Sequence, residues 1–164
     1  MERIIIDRKL HHLNKIDRNI LRVLQKEGRT SFAELARQVG LSTTPCKERV
    51  KRLEREGVIR GYQAILNPSY LDAGLVVIVQ IRLSRTSQDI FEEFKRYAYD
   101  LPEVQECYLV SGNFDYLIKA RVADMAAYRE FLGETLLTLP GVQESTSYVV
   151  MEQVKETLAL EIPY

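Results

Sequence analysis

Two threonines followed by a run of cations carry the first chemical reading of this chain. Thr43 and Thr44 precede Pro45, and Lys47, Arg49, Lys51, Arg52 and Arg55 follow at close spacing. Hydroxyls and ammonium groups can read base edges, whereas lysine and arginine side chains meet phosphates. On a helix, Lys47, Lys51 and Arg55 recur at intervals of four along one face, while Cys46, Val50 and Leu53 fall on another, apolar face. That division suits a recognition helix in the major groove, whose first turns face bases and whose flanks face the sugar–phosphate backbone. Thr43, Thr44 and Lys47 are therefore assigned to the groove, with Ser42 capping the helix tip beside them, and Arg49, Lys51 and Arg52 to phosphates. Glu48–Arg52 and Lys51–Arg55 also fit plain solvated pairs, so the constellation as a whole, not one side chain, points to double-stranded DNA.

A second constellation is Ser111-Gly112-Asn113-Phe114-Asp115-Tyr116. Gly112 and Asn113 suit the left-handed conformations of a tight turn, with Ser111 and Asp115 on its edges. Exposed turn amides can hold a carboxylate and Asp115 an ammonium, the two ends of a free amino acid. The same residues equally describe an ordinary hairpin.

Catalytic chemistry has no comparable carrier. The two histidines, His11 and His12, are adjacent in an N-terminal arm, which is poor geometry for a metal site or a nucleophile–base pair. Gly-rich phosphate fingerprints are missing. The sequence therefore predicts neither an enzyme nor a bound metal or cofactor.

The elements that position the first set form a helix-turn-helix. Ser31 and Glu34 have capping-box spacing before a short helix that carries Phe32, Leu35, Ala36 and Val39 on one face. Gly40 supplies its stop and Gly57 ends the next helix, after which Val58–Tyr62 suits a small hairpin or wing. Upstream, Asp17 reads as the cap of a helix carrying Ile16, Ile20, Leu21 and Leu24.

The net charge is zero over 164 residues, but residues 1–62 hold 15 Lys/Arg against 8 Asp/Glu, and residues 63–164 hold 8 against 15. Such asymmetry separates a nucleic-acid-binding part from one with another task. The expected layout is an arm (1–12), a helix-turn-helix domain (13–60), a hinge (61–73), a second domain (74–155) and a tail (156–164). Cys46 and Cys107 read as small core hydrophobes in a reducing compartment. No stretch is apolar enough to span a membrane and no signal peptide is evident, so the expected location is cytoplasmic and nucleoid-associated.

The second half repeats itself. Leu101-Pro102-Glu103-Val104-Gln105-Glu106 returns 38 residues later as Leu139-Pro140-Gly141-Val142-Gln143-Glu144. Each copy follows an amphipathic helix, one bearing Ile90, Phe91, Phe94 and Ala98, the other Met125, Tyr128, Leu132 and Leu136. Strand patterns flank them at Leu75–Leu83, Cys107–Ser111, Tyr116–Val122 and Tyr148–Glu152. A doubled strand–helix–strand unit is a ferredoxin-like βαββαβ sandwich. The predicted class is α+β, an N-terminal winged helix-turn-helix plus this C-terminal (RAM-type) sandwich. Apolar residues on both sides of the first strand imply that its open face is covered by a second copy.

These segments together resemble the leucine-responsive regulatory protein/AsnC family of transcription regulators over residues 13–155. The resemblance rests on Ile16-Asp17-Arg18-Asn19-Ile20-Leu21, Leu41-Ser42-Thr43-Thr44-Pro45-Cys46, Arg49–Ile59, Leu109–Tyr116 and Leu139-Pro140-Gly141-Val142. It implies homodimers assembling into octamers or larger rings, with an amino-acid effector held between dimers. It also implies that Ser111, Gly112, Asn113 and Asp115 lie at the effector turn, and that Leu109, Met125, Tyr148, Val149 and Val150 line the site or set the response. Asn113 stands where many relatives carry Asp, which leaves effector choice open, and the tail (158–164) leans toward the alanine-responsive type. The competing reading is an architectural DNA-packing protein with no small-molecule effector.

Overall fold

The computed structural model describes residues 13–84 and 87–163, and the chain divides into two compact units. Residues up to Ile65 together with the tail from Glu156 form the first; Leu66–Lys155 form the second. The arm at 1–12, with His11 and His12, lies outside the described residues.

The described residues of unit 1 form three helices, α1 (Lys15–Lys26), α2 (Phe32–Val39) and α3 (Thr43–Arg55). Asn14, not Asp17, caps α1: its Oδ1 accepts from the Asp17 amide at 2.9 Å, and Asp17 Oδ2 accepts from the Asn14 amide at 3.4 Å. The reciprocal capping box expected at α2 is only half made. Ser31 Oγ accepts from the Glu34 amide, but the Glu34 carboxylate takes Arg37 at 2.6 and 3.0 Å and Gln38 at 2.7 Å. Those partners hold its carboxyl down at about 2. Gly40 (φ 72°) and Gly57 (φ 70°) end α2 and α3 in the left-handed region, as their types predict.

The helices close over Ile20, Leu35, Ala36, Val39, Cys46, Val50 and Leu53. Phe32, expected on the buried face, is 38% exposed at the rim. Residues 58–62, expected to form a hairpin or wing, carry no strand ladder. Instead Tyr62 folds back, its hydroxyl donating to Glu54 Oε1 at 2.9 Å. The tail is not detached. Gln25 on α1 both donates to and accepts from the Leu160 backbone at 2.8 and 2.9 Å, and Arg22 donates to the carbonyls of Ile162 and Pro163.

Unit 2 is a four-stranded antiparallel sheet built from β1 (Leu75–Leu83), β2 (Val104–Leu109), β3 (Tyr116–Val122) and β4 (Val142–Val149) in the order β2-β3-β1-β4. Two helices, α4 (Gln88–Tyr99) and α5 (Met125–Glu130), make the connections expected of a ferredoxin-like sandwich. β2 and β4 start earlier than the sequence suggests, at 104 and 142 in place of 107 and 148. Each Leu-Pro copy ends a helix, so the chain is extended from the next residues onward. A bulge between Val104 and Glu106 also disturbs the alternation that would have shown where β2 begins. The second helix is shorter than its stripe implied: after Glu130 the chain passes through a π turn (Phe131–Thr135) and a 3-10 turn (Leu136–Thr138) around Gly133.

Val77, Val79 and Ile81 of β1 pack with Ile118, Ala120, Phe94, Tyr128 and Leu136 under the helices. Phe94 stacks on Tyr116 at 4.3 Å, and burial pushes the Tyr116 phenol up to about 12. Cys46 is buried as expected, but Cys107 is exposed. It pairs with Ile118 on the edge strand, where the sheet ends and less packs over it.

The second Leu-Pro repeat differs from the first by a glycine that the fold requires. Gly141 has φ 76°, and a Cβ there would stand 2.5 Å from Ile90 Cγ2. Gly141→Ala is expected to cost about 1–3 kcal/mol of stability through left-handed strain and that clash. Gly112 and Asn113 do not adopt the left-handed conformations expected of the turn, so Gly112→Ala, with open space around it, should be near neutral; equal urea midpoints for the two variants would contradict this account.

Candidate functional site

The recognition helix is built from inside out. Cys46, Val50 and Leu53 are buried, burial raising the Cys46 thiol, and this fixes the rotation of α3 about its axis. Ser42, Thr43, Thr44, Lys47 and Lys51 are consequently exposed. Ser42 occupies the N-cap position but makes no side-chain cap bond. The third helical residue is Pro45, which has no N–H to offer, so the hydroxyl stays with the other solvent-facing groups at the tip. The first-turn amides add the partial positive charge of a helix N-terminus. Lys47 also lies 5.9 Å from the centre of the Phe32 ring on α2.

Arg49 and Arg52, assigned from sequence to phosphates, have a protein partner. Asp17 on α1 is 0% exposed; its Oδ1 accepts from Arg49 Nη1 at 3.0 Å and its Oδ2 from Arg52 Nη2 at 2.6 Å. Both arginine side chains remain about a third exposed, and each guanidinium carries more N–H groups than the one it gives to Asp17. Sequence reading missed Asp17 in this role because its partners lie 32 and 35 residues away.

In unit 2 the turn at Ser111–Asp115 is tied down from three sides. Leu83 N donates to Asp115 Oδ2 at 2.7 Å, Asp115 N to Ile81 O and Val110 N to Asp115 O. Arg82 places two N–H groups on Asn113 O, at 2.7 and 3.1 Å, and pairs with Glu144 at 3.0 Å. Ser111, Gly112 and Asn113 themselves are exposed. The turn thus offers surface amides and one carboxylate, with an Arg82–Glu144 pair alongside.

The nine expected effector residues do not converge within one chain. Leu109 pairs with Tyr116, which pairs with Ile81, so Leu109 and the turn sit at the Ile81 end of the sheet. Val149 pairs with Val77 and Tyr148 with Ile78, while Val150 N reaches Val76 O. Met125 follows β3, whose Val122 pairs with Leu75. Four residue steps along the strand separate the Ile81 and Val77 rows, or about 13 Å. Leu109, Met125, Tyr148 and Val149 are 41–53% exposed. A cleft of about 500 Å³ in unit 2, lined by Ala73, Glu103, Arg121, Ala127, Phe131 and Glu134 among others, includes none of the nine.

No helix among the described residues is long and apolar enough to cross a membrane, and no described group of His, Cys, Asp or Glu forms a metal-binding cluster.

A helix-turn-helix unit with a cationic recognition helix, joined to a ferredoxin-like unit with an exposed polar turn, defines a DNA-binding transcription regulator. Residues 13–60 match the family model described as winged helix-turn-helix DNA-binding, and residues 76–160 match the Lrp/AsnC ligand binding domain. The chain belongs to the Lrp/AsnC family. It is 61% identical over 150 residues to the leucine-responsive regulatory protein of Escherichia coli K12, with 92% of each chain covered. A transcriptional regulator of Neisseria meningitidis solved as its L-methionine complex has the same fold (TM-score 0.86, 38% identity, 91% of this chain and 96% of that one covered). An AsnC family regulator from Agrobacterium tumefaciens is equally similar (TM-score 0.86, 38% identity, 91% and 97% covered).

Tyr62 supplies a pH test of the contact between α3 and the segment after it. Burial, and then the Glu54 carboxylate that accepts its proton, pushes the phenol up to about 12 from 10. The folded state thus holds the proton more tightly than the unfolded chain does. The contribution is complete below pH 10 and is lost as pH rises toward 12. Wild type should lose more stability than Tyr62→Phe over that interval in denaturant melts; parallel curves would count against the contact.

Proposed function

We propose that this chain is a sequence-specific transcription regulator whose assembly or DNA affinity responds to a small amino acid held by its second unit. The observation that carries the DNA part is the orientation of α3: three buried residues turn Thr43, Thr44, Lys47 and Lys51 outward. Lysines in that position supply sequence-independent affinity, and the threonines meet base edges. The relatives' names carry leucine and L-methionine, and such apolar amino acids suit the exposed apolar residues Leu109, Met125, Tyr148 and Val149.

The separation of the effector residues supports a site completed between copies. The turn at one end of the sheet supplies amides and Asp115 for the two charged ends of the amino acid. Met125, Tyr148, Val149 and Val150 lie at the other end, so a second copy brings them to the turn. Homodimers assembled into an octamer or larger ring provide such junctions. The setting for a DNA regulator of this kind is the cytoplasm, at the nucleoid.

Fluorescence anisotropy with duplexes of different sequence tests the DNA assignments. Lys51→Ala should weaken binding to every duplex and make the salt dependence shallower by about 0.9 unit for each phosphate it no longer engages. Thr44→Ala should change which sequences are preferred; unchanged discrimination removes Thr44 from the groove.

Sedimentation and calorimetry with leucine, methionine and alanine test the effector. At least one should shift the assembly state, and Asp115→Ala should blunt that shift while leaving DNA binding of the effector-free protein intact. Silence from all three would favour an architectural DNA-packing role.

A further inference from the structure

A carboxylate with no exposed surface, bonded to two arginines of the recognition helix, is an unusual component for a small core. Replacing buried ion pairs by apolar residues is often neutral or stabilising, so stability alone is a weak reason for Asp17. Its geometry offers another. Arg49 and Arg52 are three residues apart on α3, so both guanidinium groups leave the helix on the same side. Each spends one N–H on a separate oxygen of Asp17, at 3.0 and 2.6 Å, and the carboxylate is itself fixed by the Asn14 amide at 3.4 Å. The two side chains are still 30% and 35% exposed. One negative charge against two positive ones leaves the cluster cationic.

We propose that Asp17 is a positioning residue for DNA: it holds Arg49 and Arg52 in the one arrangement whose outward N–H groups meet the phosphodiester backbone. This rests on the DNA-binding reading above. Guanidinium is suited to the task because its planar fork can bond a carboxylate on one edge and a phosphate on another. Held this way, the arginines lose little freedom when DNA arrives. A lysine has a single ammonium and cannot make the two contacts in fixed directions.

The test uses the full chain, a labelled duplex of mixed sequence and a sodium chloride titration, with circular dichroism and a thermal melt as controls. Asp17→Asn raises the net charge by one, so charge alone predicts tighter binding. Positioning predicts the opposite: weaker binding in dilute salt and a log–log salt slope shallower by about one to two units, at about 0.9 unit for each phosphate released from an arginine. Adding Arg49→Ala and Arg52→Ala to Asp17→Asn should then change the slope little further. A folded Asp17→Asn with an unchanged or steeper slope overturns the proposal.

Should Asp17→Asn fail to fold, Arg49→Lys and Arg52→Lys decide the matter at constant charge. Shallower slopes support positioning, and a wild-type slope overturns it. A wild type with no salt-sensitive affinity for any duplex would instead reject the regulator reading itself.

Discussion

The register of β1 governs which side chains of unit 2 can meet. It is paired on both edges, with β3 through seven residues from Leu75 to Ile81 and with β4 from Val77 to Leu83. A slip of one residue would turn Val77, Val79 and Ile81 out of the core and Ile78 and Gln80 into it, so burial holds the register firmly. The same register sets the Ser111–Asp115 turn beside Ile81 and Val149 beside Val77. Distance between the two halves of the expected effector set is therefore a consequence of how the core packs. No local loop movement within one chain removes it.

Unit 1 solves a different problem. Its core holds few residues, and domains this small gain little from burial. Polar contacts compensate with direction: the buried Asp17 ties α1 to α3, and at the surface Tyr62 ties the segment after α3 to Glu54. The tail adds backbone pairing to Gln25 and Arg22 on α1. Each contact constrains orientation more than it adds stability, since single hydrogen bonds contribute about 1 kcal/mol net. For a helix that must enter a groove at a set angle, orientation is the property that matters.

What could be read from the sequence follows the range of the interactions involved. Gly40, the Cys46–Val50–Leu53 stripe and the Leu-Pro repeat act within one element or its boundary, and the helix-turn-helix and doubled sandwich follow from them. Errors arose where two local solutions compete. Asn14 and Asp17 both suit a cap, and Glu34 can turn back to Ser31 or forward to Arg37; the forward choice wins because the charged partner is one turn away. The early starts of β2 and β4 were hidden by polar residues, Gln105, Glu106, Gln143 and Glu144, on strands at the sheet edges. The Asp17–arginine contacts were invisible because no periodicity links residues more than thirty positions apart.

In the proposed arrangement, a site completed by two copies ties sensing to assembly by thermodynamic necessity. An amino acid that contacts the turn of one copy and the far sheet end of another binds only where both are present. It then stabilises that junction in proportion to its free concentration, and the assembled protein binds it better in return. An amino acid with equal affinity for both assembly states would change neither. No rigid path from effector to recognition helix is needed for such coupling. Changing how many helix-turn-helix units are held together changes how many phosphates can be engaged at once, and the gain from linking them depends on whether their spacing fits the duplex. In that proposed arrangement the anionic, duplicated unit controls the cationic one through copy number and geometry.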